Sequence, residues 1–324
     1  MTPLNSSISY GDYTFMIRNG VLNLSSIKIR DLTKIRPFKS LSEINTLFIH
    51  NSQIEKITGL EHLTNLHKLS LCMNEIKNIS DLKCLDSLLN LRELYLSGNH
   101  IKEIEGLHSL KELRKLAIGE NPISEIKGLD QLNNLRWLWF EDNTFAQIEG
   151  LDSLKNLRFL WLENNNIKEI TGLGKLYNLR QLFIVNNPIT EIKNLDSLKN
   201  LRVLDIDNCD ITKISGLDNL VNLLELTLGR NLIKEIEGLD KLSKLNYLDL
   251  SYNFISRIRG LESLCNLKKL NLSYNKIAKV EGLSHLKHLE SLSLEANQIK
   301  DYNNLNGLAG LNKLQNLNLE KNFI

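Results

Sequence analysis

Apolar and polar positions follow one pattern that recurs along most of this chain. In one instance Leu160 and Leu162 alternate with Phe159 and Trp161, as in a short β-strand that turns one set of side chains inward and the other outward. Asn165 follows this strand, and its side-chain amide can both donate and accept hydrogen bonds. We therefore expect Asn165 to pair backbone groups that the next turn would otherwise bury unpaired.

The pattern occurs thirteen times, with a spacing of 22 residues except for two steps of 25. The position of Asn165 is occupied in successive units by Ser52, Asn74, Asn99, Asn121, Asn143, Asn165, Asn187, Cys209, Asn231, Asn253, Asn275, Asn297 and Asn322. The strand of one unit is too small to bury its own leucines, so the units must stack on one another. Stacking predicts a solenoid with one parallel β-sheet along its concave side.

Written out, one unit is L-x-x-L-x-L-x-x-N-x-I-x-x-I-x-G-L-x-x-L-x-x, which closely resembles the leucine-rich repeat of the 22-residue type over roughly nine tenths of the chain. The resemblance implies an α/β solenoid, a leucine-rich-repeat horseshoe with a concave parallel β-sheet and short 3₁₀ or helical convex segments. The I-x-x-I-x-G-L form is similar to the repeats of the leucine-rich-repeat regulatory subunit of type-one protein phosphatase and of the bacterial internalins.

One position before the next leucine indicates a left-handed backbone. It is glycine in nine units: Gly59, Gly106, Gly128, Gly150, Gly172, Gly216, Gly238, Gly260 and Gly282. Asn194, Asn304 and Asp81 replace the glycine in three other units. Glycine, asparagine and aspartate are the residues that best tolerate a positive φ, so we predict positive φ at all of these positions.

The two ends of the chain differ from the repeats. Asn19-Gly20 lies between two alternating apolar runs and favours a tight hairpin, which a degenerate repeat follows. We predict that residues 1–43 form an N-terminal hairpin cap and degenerate first repeat, and that residues 44–324 form an array of 13 leucine-rich-repeat units. The sequence stops at Ile324 without a polar cap, so end-to-end self-association through this end is also expected.

Composition narrows the cellular setting. The net charge of +2, from 40 basic and 38 acidic residues, does not predict a nucleic-acid or membrane partner. No run of eighteen apolar residues is present, and the first residues do not resemble a secretion signal. The four cysteines fall in different units without C-x-x-C spacing, which is typical of a reducing compartment. We therefore expect a cytoplasmic protein.

Motifs for catalysis are missing from the sequence. There is no G-x-S-x-G, no phosphate-binding glycine loop and no H-E-x-x-H motif. His285 and His288 form a close pair, but no cysteine or carboxylate of matching phase completes a metal site. We expect no enzymatic activity, no metal and no cofactor.

Large aromatic residues are concentrated at the outward strand positions of the middle repeats. They are Tyr95, Trp137, Trp139, Phe159, Trp161 and Phe183. Each ring offers about 150–250 Å² of surface, so five of them together approach the largest apolar patch usual for a monomer. A partner-binding surface is the favoured interpretation. In the alternative interpretation, the rings stack on one another and only stiffen the sheet.

Charged residues flank the aromatic residues on both sides. Acidic residues lie at the strand ends, at Glu120, Glu141, Asp142 and Glu163, and Asp205 and Asp207 are expected beside Phe183. They predict that the partner is another protein, a folded domain or a peptide, with apolar and basic surface. Arginine precedes six consecutive strands at Arg92, Arg114, Arg136, Arg158, Arg180 and Arg202. That column is explained either by an anionic ligand or by arginine stems that cover the sheet edge.

The two resemblances imply different biology. The resemblance to the phosphatase subunit implies an intracellular scaffold that uses aromatic and acidic residues to bind a folded partner. A phosphatase is one candidate for that partner. The internalins imply a secreted or surface adhesin, against which the missing signal sequence and the unpaired cysteines argue. We predict a non-enzymatic protein-protein interaction scaffold of the regulatory-subunit type, with the adhesin as the alternative.

Overall fold

The chain is built from short parallel strands, one in each repeat. The computed structural model describes residues 5–29, 31–36 and 42–324, so parts of the predicted cap region, residues 1–4, 30 and 37–41, lie outside the described residues. Two compact units are present, Met1–Leu160 and Trp161–Ile324. In each unit the strands lie side by side in chain order, which confirms the predicted leucine-rich-repeat solenoid. The predicted division at residue 43 stays a prediction.

Strands in the first unit comprise an N-terminal set and the first repeats. They are β1 (Asn5–Tyr10), β2 (Tyr13–Arg18), β3 (Val21–Asn23), β4 (Thr46–Phe48), β5 (Lys68–Ser70), β6 (Glu93–Tyr95), β7 (Lys115–Ala117) and β8 (Trp137–Trp139). Strand β9 (Phe159–Trp161) begins in the first unit and ends in the second. The second unit continues with β10 (Gln181–Phe183), β11 (Val203–Asp205), β12 (Glu225–Thr227), β13 (Tyr247–Asp249), β14 (Lys269–Asn271), β15 (Ser291–Ser293) and β16 (Asn316–Asn318).

Each repeat strand places one leucine in the core and its two neighbours on the solvent-facing side. In β8, Leu138 is fully buried, whereas Trp137 and Trp139 are half-buried. Leu138 lies in parallel register beside Leu116 of the preceding strand. The period-two alternation therefore stacks leucines into one continuous row inside the unit and leaves the flanking positions free to vary.

The segments opposite the strands are 3₁₀ helices and turns, and no α-helix occurs in the described ranges. The 3₁₀ helices span Leu32–Lys34, Leu60–His62, Ile79–Asp81, Lys83–Ser87 and Tyr302–Leu308. Leucines three residues apart match these turns: the Leu110 amide donates to the Leu107 carbonyl at 3.1 Å and the Leu113 amide to the Leu110 carbonyl at 3.0 Å. Three residues per turn bring all three leucines to the same side, facing the core.

The N-terminal strands confirm the predicted hairpin and add one that was missed. Asn19 and Gly20 have φ of 52° and 76° and join β2 to β3 in antiparallel pairing. Strand β1 also pairs antiparallel with β2, from Asn5 opposite Arg18 to Tyr10 opposite Tyr13. Sequence analysis missed β1 because its serine-rich segment has little apolar alternation.

A ladder of buried asparagines joins consecutive repeats. Asn231 donates from Nδ2 to the Ile206 carbonyl of the preceding repeat at 2.8 Å and to the Leu228 carbonyl of its own repeat at 3.2 Å. Its Oδ1 accepts the Ile211 amide at 2.9 Å. The same pattern recurs at Asn74, Asn121, Asn253 and Asn275. The predicted role of this asparagine is confirmed.

Cys209 interrupts the ladder. Its Sγ lies 3.6 Å from the Ile184 carbonyl oxygen, but it offers no amide oxygen to the repeat before it. The Ile189 amide donates instead to the Asn187 carbonyl, at 2.8 Å. Burial raises the pKa of the Cys209 thiol to about 11, so the group stays neutral.

The predicted left-handed corners are largely correct. All nine glycines have positive φ, from 62° at Gly172 to 92° at Gly59, and Asn194 has φ of 60°. The prediction is wrong for Asp81 and Asn304, which belong to the 3₁₀ helices Ile79–Asp81 and Tyr302–Leu308. Both repeats contain three extra residues, which replace the sharp corner by additional 3₁₀ turn.

A second left-handed position was missed by the sequence analysis. The residue immediately before the ladder position has φ between 48° and 68° in all thirteen repeats: Asn51, Met73, Gly98, Glu120, Asp142, Asn164, Asn186, Asn208, Arg230, Tyr252, Tyr274, Ala296 and Lys321. Bulky residues such as Tyr252 rarely adopt this conformation. The backbone holds it because the Tyr252 amide donates to the Ser273 carbonyl of the next repeat, at 2.9 Å.

The last repeat exposes apolar side chains. Leu317 and Ile324 are 40% and 38% exposed, whereas the equivalent Leu292 and Ile299 of the preceding repeat are buried. Self-association through this end of the chain stays a prediction.

We expect Gly128→Ala to lower the free energy of unfolding by about 2 kcal/mol or more, because its φ of 77° disfavours a side chain. The new Cβ would also overlap the Ile104 carbonyl oxygen. Gly174→Ala is the control, since no atom lies within 4 Å of its added Cβ. Urea denaturation measures both variants, and equal effects would contradict the assigned cause.

Cys209→Asn is expected to raise the free energy of unfolding by about 1 kcal/mol, because the new amide oxygen can accept the Ile189 amide. The reverse change, Asn231→Cys, should lower it, since Asn231 is 3% exposed and fully bonded. Thermal unfolding followed by circular dichroism compares the two. A lower melting temperature for Cys209→Asn would show that this site cannot accept an amide.

Candidate protein-binding surface

Stacked aromatic rings occupy the solvent-facing side of the sheet in the first unit. The ring centroids of Trp137 in β8 and Phe159 in β9 lie 5.2 Å apart with planes inclined by 7°. Trp139 lies beyond Leu138 on β8, and all three rings are half-buried. Sequence analysis predicted solvent-exposed rings. Stacking covers one face of Trp137 and Phe159, so their exposure is smaller than predicted.

The second unit repeats this arrangement with one pair. Trp161 and Phe183 of β10 stack with centroids 5.4 Å apart and planes inclined by 5°. Both rings are half-buried. Stacking therefore occurs in both units, as the stiffening alternative requires, and each pair still presents part of its surface to solvent.

Tyr95 belongs to a charged network in the first unit. Its hydroxyl donates to Oε2 of Glu93 at 3.0 Å, and Lys68 Nζ lies 4.9 Å from its ring centroid. Glu93 pairs with Lys68 at 3.4 Å and with Lys115 at 2.8 Å. Lys115 Nζ also lies 5.2 Å from the Trp137 ring centroid. Lys115 thereby connects the Tyr95 network to the stacked pair.

Protonation in this network is set by its hydrogen bonds. Burial alone would raise the pKa of Glu93, but hydrogen bonds from Lys115 and Tyr95 lower it below its ordinary value. Burial, with the Glu93 carboxylate, raises the pKa of the Tyr95 hydroxyl. Glu93 is therefore ionised and Tyr95 neutral near pH 7. Lys68, Glu93 and Lys115 were not among the predicted site residues. They occupy the same position of three consecutive strands, so their alternating charges were a signal in the sequence.

Acidic side chains lie at the carboxyl ends of the strands in the first unit. Glu141 is half-buried, and burial raises its pKa, with the like charges of Asp142 and Glu120 acting in the same direction. Gly119 lacks a side chain where the Glu141 carboxyl group lies against the preceding repeat. Asp142 is exposed, with φ of 53°. Two of the predicted acidic residues are thus present at the end of β8.

The acidic residues of the second unit form a tighter group. Asp205 accepts the Asp207 amide at 3.1 Å, and burial raises the pKa of its carboxyl group. Burial also raises the pKa of Asp207, against the attraction of Arg230 at 3.3 Å. Asp249, which sequence analysis did not select, lies in the same group and accepts the Tyr247 hydroxyl at 2.9 Å. Glu163 is half-buried at the end of β9.

The two histidines that were considered as metal ligands have partners within the protein. His285 Nε2 lies 2.9 Å from the Leu261 carbonyl oxygen, and His288 Nδ1 lies 3.1 Å from Lys313 Nζ. Among the described residues, no three histidine, cysteine or acidic side chains gather as metal ligands would. That same part of the chain contains no helix with the length and apolar character needed to cross a membrane.

Comparison with known proteins identifies the repeat. A family model described as leucine-rich repeats (2 copies) matches residues 89–131, 133–175, 177–219 and 265–307, which together exceed half of the chain. No curated protein matches the sequence.

Similar solved structures come from bacteria and from a Toll-like receptor. The internalin InlF of Listeria monocytogenes is 31% identical, with a TM-score of 0.80 over 90% of this chain and 84% of InlF. A leucine-rich-repeat protein of Leptospira interrogans is 28% identical, with a TM-score of 0.81 over 93% of this chain and 78% of its own. TLR13, solved in complex with ssRNA13, is 26% identical, with a TM-score of 0.76 over 88% of this chain and 45% of TLR13.

We expect Asp205→Asn to raise the free energy of unfolding near pH 7. Burial raises the folded-state pKa of Asp205 above its unfolded value near 3.8. The folded state then holds the proton more tightly, and this stabilising contribution is present below the unfolded pKa and lost as pH rises through the folded pKa. The Asn variant has no carboxyl group at this position, so it does not lose this stability as pH rises.

Urea denaturation at about pH 4 and pH 7 measures the effect. The gain of Asp205→Asn over wild type should be larger at the higher pH. Asp218→Asn, at an exposed carboxylate, serves as the control. A gain that shrinks as pH rises would contradict the assigned cause.

Proposed function

Because the chain belongs to the leucine-rich-repeat family, we propose that it is a non-enzymatic scaffold that binds a partner protein on the solvent-facing side of its sheet. The observation that carries this proposal is the aromatic content of that side. Trp137, Trp139 and Phe159 provide the surface in the first unit, and Trp161 and Phe183 provide it in the second.

The fold does not require large rings at these positions. Equivalent residues in other repeats are small or polar, as at Ser70, Thr227, Asn271 and Ser293, and their strands form equally well. Tryptophan and tyrosine are enriched where proteins bind one another, since each ring buries a large area with few rotatable bonds. Aromatic residues at freely variable positions therefore support a binding surface over a purely stiffening role.

The charges around the rings support a partner with apolar and basic surface. Glu141 and Asp142 follow β8 in the first unit, and Asp205 and Asp207 lie at the end of β11 in the second. Carboxylates at a rim steer basic partners and fix their orientation more than they add affinity. Raised pKa values of Glu141, Asp205 and Asp207 fit this role, because a basic partner would favour their charged forms.

A regulatory subunit in the cytoplasm, with a phosphatase among its candidate partners, is the finer form of this proposal. Four free thiols, at Cys72, Cys84, Cys209 and Cys265, support a reducing compartment. The similarity to InlF supports the alternative of a secreted or surface adhesin. Fractionation of the source cells separates the two, because an adhesin would be found outside the cytoplasmic fraction.

The double variant Trp139→Ala, Trp161→Ala is expected to keep its fold and to lose partner binding. A central aromatic anchor commonly contributes about 2 kcal/mol or more, which is roughly a thirtyfold change in affinity. An affinity pull-down from a lysate of the source cells compares wild type with this variant. Tyr177→Ala is the matched control, because Tyr177 is 47% exposed in a turn segment away from the strands.

Circular dichroism melting distinguishes the two interpretations of the rings. A protein retained by wild type and by Tyr177→Ala, but not by the folded double variant, supports the proposal. Identical eluates from all three proteins contradict it. Loss of folding in the double variant would favour the stiffening interpretation.

A further inference from the structure

A row of arginines lies where the strands of the first unit begin. Arg92, Arg114, Arg136 and Arg158 each immediately precede a strand, β6 to β9. The amides of Arg114, Arg136 and Arg158 donate to the carbonyl of the preceding arginine at 2.8, 2.8 and 2.9 Å. Consecutive arginines are therefore separated by about one strand spacing, about 4.8 Å. We call these four residues the arginine row.

The guanidinium groups of the arginine row are not paired with acidic side chains of the described residues. In the part of the chain that the structure describes, none of its guanidinium groups forms an ion pair or a side-chain hydrogen bond. Nearby lysines differ, since Lys68 and Lys115 both pair with Glu93. Four like charges at this spacing repel one another, so the row favours an anion from outside the chain.

The opposite ends of the same strands have the opposite charge. Glu120 follows β7, and Glu141 and Asp142 follow β8. Glu141 lies five positions after Arg136, which corresponds to about 16 Å of extended chain. Between these margins lie Trp137 and Phe159. The face of the first unit is therefore positive at the strand starts, aromatic in the middle and negative at the strand ends.

We propose that the arginine row binds an acidic segment of the partner protein. This inference rests on the proposed function and adds an orientation: the partner's carboxylates lie along the strand starts, and its basic residues lie along the strand ends. Guanidinium groups pair with carboxylates through two parallel hydrogen bonds. Glu93 is already paired with Lys68 and Lys115, so it leaves the arginine row available to a partner's carboxylates.

The acidic margin favours a protein over a nucleic acid as the source of the anion. A nucleic acid has the same charge along its whole length, and its phosphates would approach Glu120, Glu141 and Asp142 at the strand ends. A protein partner presents both signs of charge and can match both margins. The charges of the whole face therefore favour carboxylates of a protein partner as the anion that the arginine row binds.

Fluorescence anisotropy with a labelled octaglutamate peptide tests this proposal at low salt. Wild type is expected to bind octaglutamate more tightly than octaglutamine or an oligo-dT strand, and added salt should weaken the binding. Arg114→Gln with Arg136→Gln should weaken octaglutamate binding about tenfold or more. Lys175→Gln with Lys199→Gln removes the same charge from exposed turn residues and should leave the affinity unchanged.

Each other outcome overturns the proposal. No binding of octaglutamate, or equal binding of octaglutamine, shows that the row does not recognise carboxylates. Equal affinity in a folded arginine variant shows that the site lies elsewhere. Tighter binding of oligo-dT would assign the row to nucleic acid instead.

The Trp139→Ala, Trp161→Ala variant separates this proposal from the proposed function. It should retain octaglutamate binding, because it keeps the arginine row. Failure of the peptide titration therefore leaves the pull-down result standing, and failure of the pull-down leaves the peptide result standing.

Discussion

The buried asparagine amide is the interaction on which the rest of this structure depends. Every repeat ends its strand with backbone groups that turn into the core, where an unpaired carbonyl or amide would be costly. Asn231 pairs such groups in its own repeat and in the one before it, so a single side chain both closes a turn and attaches a neighbour. The repeat frame follows, since the amide reaches its partners only when consecutive strands are in register, and the 25-residue step to Asn99 keeps that register.

Cys209 shows how local this constraint is. The Ile189 amide turns to the Asn187 carbonyl, while the ladder resumes one repeat later at Asn231. Because each repeat contacts chiefly its neighbours, one substitution changes one junction and leaves the others intact. The left-handed residue before most ladder positions is held in the same local way, by a backbone hydrogen bond to the next repeat, as at Tyr252 and Arg230.

With leucines and asparagines committed to the interior, the outward strand positions are free to serve binding. They are used unevenly. In the first unit, Glu93 is neutralised by Lys68 and Lys115, whereas the arginine row beside it forms no ion pair with any residue that the structure describes. In the second unit, burial raises the pKa of Asp205 and Asp207. The arginines and the acidic residues both lie on or beside strands that are already formed. Fewer backbone and side-chain conformations therefore need to be lost when a partner binds.

The sequence by itself determined the repeat frame, the leucine core, the asparagine ladder, the Asn19-Gly20 hairpin and the left-handed glycines, because residue type and spacing decide each of them. Only the tertiary structure decided which side chains meet. The Trp137–Phe159 stack and the contact of Lys115 with Trp137 join residues 22 positions apart, through rotamers that no local pattern encodes. Asp81 turned out to lie in a 3₁₀ helix for a related reason, since three extra residues changed the path of its turn. Spacing fixes where a residue lies along the frame, and packing against the next repeat decides what it touches.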